Sequence, residues 1–185
     1  MTNLSEVSKA KNIVIKIGSS LLMNENRFNS KWLKSFIDDV LYLKSKRKNL
    51  VIVASGAVSL GRKYLNIKKE KMSINTKQAC AACGQVILMK NFMRHFEARK
   101  IKVAQILLTF SDTEDRRKSL NSRETIKTLL KLKIIPIINE NDSVATDELK
   151  FGDNDRLAAR VAQVIGSDLL ILLSDVEGLY DKNPK

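Results

Sequence analysis

With two cysteines and one histidine, the 185-residue chain has little from which to build a metal centre or a disulfide framework. Cys80 and Cys83 form a C-x-x-C, but a zinc site needs a second pair or histidines, and His95 is the only one. The motif falls inside a helical pattern rather than at a strand end. Two small buried thiols one turn apart are therefore expected, with a redox pair as the alternative. His95, at the end of the same stretch, is expected on the surface. No apolar run approaches the ~20 residues of a membrane span. Met1 to Ala10 also lack the apolar stretch of a signal peptide, which points to the cytoplasm and away from membranes. Aromatic residues make up 5% of the chain and do not interleave with a basic stripe, so single-stranded nucleic acid finds no stacking platform.

Positive charge, by contrast, is in excess, with a net +13. The short runs Lys44-Ser45-Lys46-Arg47-Lys48 and Lys68-Lys69 sit beside predicted elements. A charge excess alone specifies no partner. It reads as a lysine-rich solvated surface that also helps to recruit anions, and nucleic acid is not the expected partner. At 44% apolar and 29% charged residues the composition is that of a globular domain, long enough to bury a core.

Short apolar runs alternate with amphipathic stretches. Asn12–Ile17, Leu50–Ala54, Val103–Leu108, Ile134–Ile138 and Asp168–Leu173 read as strands, Pro136 requiring a sheet position that tolerates its missing N–H. Trp32, Leu33, Phe36, Ile37, Val40 and Leu41 fall at helical spacing after a cap at Asn29 or Ser30. Ser73 to Lys100 reads as mainly helical. Asn121-Ser122-Arg123-Glu124 resembles a capping box opening a helix to about Leu132. Asp153 is expected to cap a helix to Gly166, and Ser143 to Gly152 to form a hairpin. Five runs apolar on both faces and separated by helices imply an α/β fold, a three-layer α-β-α sandwich around a mostly parallel sheet. Ligands in such folds collect beyond the carboxyl ends of strands.

Four loops after strands carry small and polar residues. In Lys16-Ile17-Gly18-Ser19-Ser20 a lysine beside a buried strand either snorkels to solvent or reaches a site. Gly18 and the serines would let backbone N–H groups approach a phosphate. Ala54-Ser55-Gly56-Ala57 opens a helix, which by itself suits an anion or is a plain turn. Gly56 to Lys63 comes close to a phosphate-cradling G-x-x-x-x-G-K-[ST], but Arg62 replaces the lysine and Lys63 the hydroxyl residue. That reading is rejected. Ile138 to Thr146, followed by Phe151-Gly152-Asp153-Asn154-Asp155, concentrates acids and amides in a basic protein. This suits an ammonium group or a metal better than ordinary turn chemistry does. Ser174-Asp175-Val176-Glu177-Gly178 follows the fifth strand and is compatible with a nucleotide edge or a solvated loop.

Taken in order, K-I-G-S-S, A-S-G-A-V, I-N-E-N-D-S-V-A-T, F-G-D-N-D and L-L-S-D-V-E-G-L-Y are similar to the loops of the amino-acid kinase family. The I-N-E-N-D and G-D-N-D pair resembles the members that phosphorylate the side-chain carboxylate of glutamate for proline synthesis. The resemblance implies residues 12–185 as the kinase domain behind a tail of residues 1–11. It also implies that the family's second lysine and any PUA domain lie past Lys185, so the 185 residues alone are expected to give no glutamate-dependent ADP release. Ser174 stands where the family more often has threonine. By resemblance, Lys16 and Asp155 are catalytic, and Lys16, Gly18, Ser19, Ser174 and Asp175 bind ATP, with Mg²⁺ arriving on the nucleotide. Ser55, Asp142 and Asn154 are implied to hold glutamate. Proline as a feedback inhibitor and a homo-oligomeric assembly are implied in the same way. A truncated module that binds glutamate or proline without turnover is the alternative.

Overall fold

The computed structural model describes residues 4–24, 27–68, 72–144 and 154–175. A short helix α1 (Leu4–Lys9) lies in the segment read as a tail and leads into β1 (Asn12–Ile17). After α2 (Ser19–Leu22) and the two-residue strands β2 (Met23–Asn24) and β3 (Arg27–Phe28), α3 (Ser30–Ser45) leads to β4 (Asn49–Ala54). Helices α4 (Ala57–Tyr64) and α5 (Ile74–Glu97) precede β5 (Val103–Leu108). Helices α6 (Phe110–Glu114) and α7 (Arg116–Lys131) precede β6 (Ile135–Glu140), and α8 (Asn154–Ile165) precedes β7 (Leu169–Leu173).

Five strands form one sheet in the order β5-β6-β4-β1-β7, every neighbouring pair parallel. Strand alternation divides the core into two layers. Ile13, Ile15 and Ile17 of β1, with Leu50, Ile52 and Ala54 of β4, pack under α3, α4 and α5, where Leu33, Leu60 and Phe92 are fully or nearly buried. Val14, Val51, Val53 and Ile138 face the opposite layer, where Ile126 of α7 and Leu157, Ala158 and Val161 of α8 close the core. The α/β sandwich expected from the apolar runs is the observed architecture. Strand β6 is buried throughout and β1 and β4 are buried after their first residue, whereas β5 and β7, with a neighbour on one side, remain largely half-buried or exposed.

Local chemistry explains most element ends. The Asn29 side chain accepts from Trp32 N–H and Ser73 from Thr76 N–H, each satisfying a donor of a first helical turn. Pro136 sits where a ladder donor is not needed. Ile135 N–H donates towards β5, so the missing N–H of Pro136 faces β4, whose pairing with β6 begins only at Ile137. Asp168 lies outside its expected strand because its carboxylate accepts from the Lys11 and Asn12 N–H groups at 2.8 Å each. Those bonds hold its pKa below the ordinary aspartate value. Strand β6 runs two residues past its expected end, carrying Asn139 and Glu140 into the sheet.

The expected capping box at Asn121 is a correction. Helix α7 starts at Arg116, capped by Asp115, whose carboxylate accepts from Lys118 N–H at 2.9 Å. Residues 121–124 lie inside that helix, and the capping box forms instead at Thr109 and Asp112 ahead of α6. Cys80 is buried and Cys83 partly so, one turn apart on α5 and unbonded. Burial, with Cys83 beside it, pushes the Cys80 thiol up. His95 is half-buried rather than a surface residue, its Nδ1 2.8 Å from Asn91 O and its ring 6.3 Å from that of Phe28. Asp153 and most of the expected hairpin, from residue 145 to Gly152, lie outside the described residues. Among the described residues no helix is long and apolar enough to cross a membrane.

Candidate functional site

Because the sheet is parallel, all five strands send their following loops to one end. The next helix after β4 is α4, in one layer, and the next after β6 is α8, in the other. Adjacent strands whose connections diverge to opposite faces open a crevice between their carboxyl ends. Ser55 lies at the end of β4, Asn139 near the end of β6 and Asn154 at the start of α8.

These three side chains meet. Asn154 Nδ2 lies 3.0 Å from Ala54 O, 3.0 Å from Ser55 Oγ and 3.1 Å from Asn139 Oδ1, so its two N–H groups serve three acceptors. Asn139 Oδ1 also accepts from Glu140 N–H at 2.8 Å. The cluster is inaccessible to bulk water, Asn154 being 3% exposed and Asn139 2%. Three buried polar atoms at this end have no partner among the described residues, namely Asn154 Oδ1, Asp142 Oδ1 and Asn139 Nδ2. Native interiors rarely leave such groups unmatched. Two acceptors and one amide donor complement an ammonium and a carboxylate.

Asp142, just past β6, is 6% exposed, and burial, with Glu140 adding like charge, lifts its carboxyl from the ordinary 3.8 to about 7. A carboxyl whose folded value lies above its unfolded one binds more protons when folded. The cost of ionising it therefore grows as pH rises from about 4 to about 7 and is constant above. A shift of this size corresponds to a few kcal/mol. Asp142→Asn is thus expected to make melting less dependent on pH between 5 and 8 and to raise Tm most at pH 8. An unchanged pH profile in that variant would place the titration elsewhere.

Lys16 belongs to the layer facing α8, between Val53 and Leu172 in register. It is 8% exposed, and its ammonium is held 2.7 Å from Asp155 Oδ1 in the first turn of α8. The lysine is therefore held by a carboxylate rather than snorkelling to solvent. The aspartate side chain is half-exposed, and a carboxylate in a first turn is favoured by the helix dipole. Gly18 N–H donates to Leu173 O at 3.0 Å, tying the end of β1 to the end of β7 immediately before Ser174. A Cβ on Gly18 would stand 3.3 Å from Leu173 O and 3.9 Å from Lys16 Nζ, so the glycine keeps the approach to the ammonium narrow but open. On the other side, the position a Cβ of Gly56 would take lies 3.6 Å from Ser19 Cβ. Gly56 itself adopts φ +105°, where a side chain is strained. The glycine loop thus runs between the Ser55 turn and the β7 end, and the ammonium and bare backbone there fit a phosphate group. Ser174 Oγ donates to Asp175 Oδ1 at 3.3 Å, both residues being exposed.

The structure brings Ser55 and Asn154 together, pairs Lys16 with Asp155, sets Gly18 beside the Lys16 ammonium, brings Ser19 near Gly56, and ties Gly18 to Leu173, the residue before Ser174. Asp142 shares the end of the sheet but makes no hydrogen bond to Ser55 or Asn154 among the described residues. Asn139 was present in the loop motif without a role. Gln85 was a further omission. It is buried on α5, donates to Glu140 O at 3.3 Å and accepts from Gln105 Nε2 at 3.2 Å, supporting the end of β6. Its signal was a polar residue in the helical stripe of Ala81, Leu88 and Phe92.

Residues 11–185 match the model of the amino acid kinase family. The chain is 52% identical over 177 residues to a glutamate 5-kinase of Pelagibacter ubique, covering 95% of this chain and 48% of that protein. It is 50% identical over 182 residues to a glutamate 5-kinase of Bartonella henselae, covering 98% and 48%. It spans about half the length of the curated relatives it matches. In three dimensions it resembles a carbamate kinase from Giardia lamblia bound to AMP-PNP, with a TM-score of 0.59 over 91% of this chain and 75% of that one. At 13% identity that likeness concerns the fold alone.

Proposed function

Since the chain belongs to the amino acid kinase family, we propose that it provides the glutamate side and the first phosphate lysine of a glutamate 5-kinase. The reaction is transfer of the γ-phosphoryl group of ATP to the side-chain carboxylate of L-glutamate. The observation that carries this reading is the set of unmatched atoms Asn154 Oδ1, Asp142 Oδ1 and Asn139 Nδ2. Asp142 and Asn154 Oδ1 receive the α-ammonium, while Asn139 Nδ2 and Ser55 Oγ supply donors to a carboxylate. Binding the ammonium favours ionised Asp142, so glutamate uptake at neutral pH releases part of a proton.

The acceptor carboxylate is already an anionic nucleophile, so no general base is required. One of its oxygens attacks the γ-phosphorus in line as the bond to the β-phosphate oxygen breaks, leaving ADP. The obstacle is repulsion between anions, and positioning with positive charge overcomes it. Lys16 supplies that charge, Asp155 holds its ammonium, and the backbone at Gly18 and Ser19 donates to the phosphates. Ser174 and Asp175 lie on the nucleotide side, and Mg²⁺ travels with ATP, held mainly by phosphates and water.

Calorimetric titration of L-glutamate tests the reading. Asp142→Ala and Asn154→Ala are each expected to weaken glutamate binding by roughly 2–5 kcal/mol while leaving nucleotide affinity nearly unchanged. Loss of nucleotide affinity with glutamate binding intact would move the amino acid out of the β4–β6 crevice.

A further inference from the structure

At the opposite end of the sheet, where β4, β5 and β6 begin, lies a concave basin of about 740 Å³. The last turn of α3 contributes Lys44, the turn after it Arg47 and Lys48, and the turn after α5 contributes Lys100 and Lys102. The last residue of α7 adds Lys131, and the turn after it Lys133. None of the described residues lining the basin is acidic, and among the described residues none of these cations forms an ion pair. Leu50, Ile101 and Ile135 make an apolar floor.

Helix C-termini attract cations, so part of this charge answers to the fold. Lys44 Nζ, for example, donates to Lys133 O at 3.1 Å. Three helix ends offset only about −1.5 charge, and the basin remains strongly positive. Burial and the neighbouring Lys133 hold the Lys44 ammonium below its ordinary pKa, so the charges are crowded as well as numerous. Backbone geometry adds an independent sign. Arg47, Lys100 and Lys133 adopt φ of +58°, +57° and +61°, the left-handed region that glycine favours. The comparable turn after α8, which does not border the basin, uses Gly166 at φ +66°. At three turns around the basin the chain therefore keeps a long cation where glycine would relieve strain.

We propose that this basin binds a compact polyphosphate, a small anion with several linked phosphate groups, at a place distinct from the catalytic end. Its volume suits a small molecule. The separate cations on three turns match several dispersed negative charges, and the absence of an aromatic residue from its lining offers nucleic-acid bases nothing to stack on.

The test is titration of the 185-residue chain with tripolyphosphate at near-physiological salt, read by calorimetry and by backbone amide shifts. Saturable shifts are expected at residues 44–50, 100–102 and 130–135. The triple variant Lys100→Gln, Lys102→Gln, Lys133→Gln alters exposed side chains only and is expected to weaken this event about tenfold or more. Lys16→Ala should leave it unchanged. Shifts confined to residues 16–20, binding untouched by the triple variant, or no saturable binding would each overturn the proposal. So would a single-stranded oligonucleotide that binds tighter than tripolyphosphate and loses affinity in the same variant. Should the triple variant fail to fold, the amide shifts of the unsubstituted chain decide alone.

Discussion

Replacing Lys16 by alanine, in a chain extended to the length of the curated relatives, is expected to lower kcat for glutamate-dependent ADP release by about 10²-fold or more. The melting temperature and the glutamate KM should change little. The ammonium sits in a desolvated strand position beside a bare glycine backbone, where charge acts on a phosphoryl group more strongly than in water. A purely structural ion pair with Asp155 predicts something else. One partner is half-exposed, so the pair contributes no more than about 1 kcal/mol to stability, and its loss would leave turnover intact. Lys16→Met keeps the apolar stem while deleting the charge, and should be as slow as alanine. Asp155→Asn keeps the lysine but loosens it, and should cost roughly tenfold, less than loss of the lysine itself. Near-normal turnover in the Lys16 variants would remove that residue from the mechanism.

Residue type made the strands legible, and distance hid the rest. Val14, Ile52 and Ile137 belong to short apolar runs that only a buried parallel sheet accommodates, so the layers followed from periodicity. Lys16 stood out because a cation at the end of such a run demands a reason. Its partner Asp155 lies far along the chain, and only the similarity of the loop motifs connected the two. Helix α7 misled because it is polar almost throughout, burying Ile126 alone. Asp115 therefore had no apolar stripe to announce it, while Asn121 and Glu124 mimicked a cap in spacing. Inside the helix such short polar side chains turn back on the preceding turn, as Ser122 does to Ser119 O and Thr125 to Asn121 O. Gln85 was missed because its importance lies in two contacts with distant strands. The crevice itself depends on which face each connection takes, and a one-dimensional pattern does not contain that.

The contact between α4 and α5 was equally hidden, and it supports the second large expectation, that Gly84→Ala destabilises the fold by about 3 kcal/mol or more. Alanine is intrinsically the better helix former by about 1 kcal/mol, so an open site would gain from the change. Here the new methyl carbon would stand 1.7 Å from Ala57 O and 2.8 Å from Gly61 N, and a Cβ at Gly61 would stand 1.7 Å from Cys80 O. The obstructing atoms are backbone, which cannot step aside as a flexible side chain can, so the helices must separate. For a domain of this size the loss corresponds to a fall in Tm of very roughly 6–12 °C. Because Ala57 is the first residue of α4, separation also displaces Ser55 and Gly56. Folded Gly84→Ala protein should therefore bind glutamate more weakly than its stability alone predicts. Gly61→Ala should act in the same direction, and the double variant should cost less than the sum, since either methyl alone already parts the same two helices. Gly166→Ala is the control. It meets nothing within 4 Å and bears only the strain of φ +66°, so it should cost about 1–2 kcal/mol and leave glutamate affinity intact. A cost at Gly84 no larger than that at Gly166, with glutamate affinity intact, would show that the close approach of α4 to α5 does not set the requirement for glycine at Gly84.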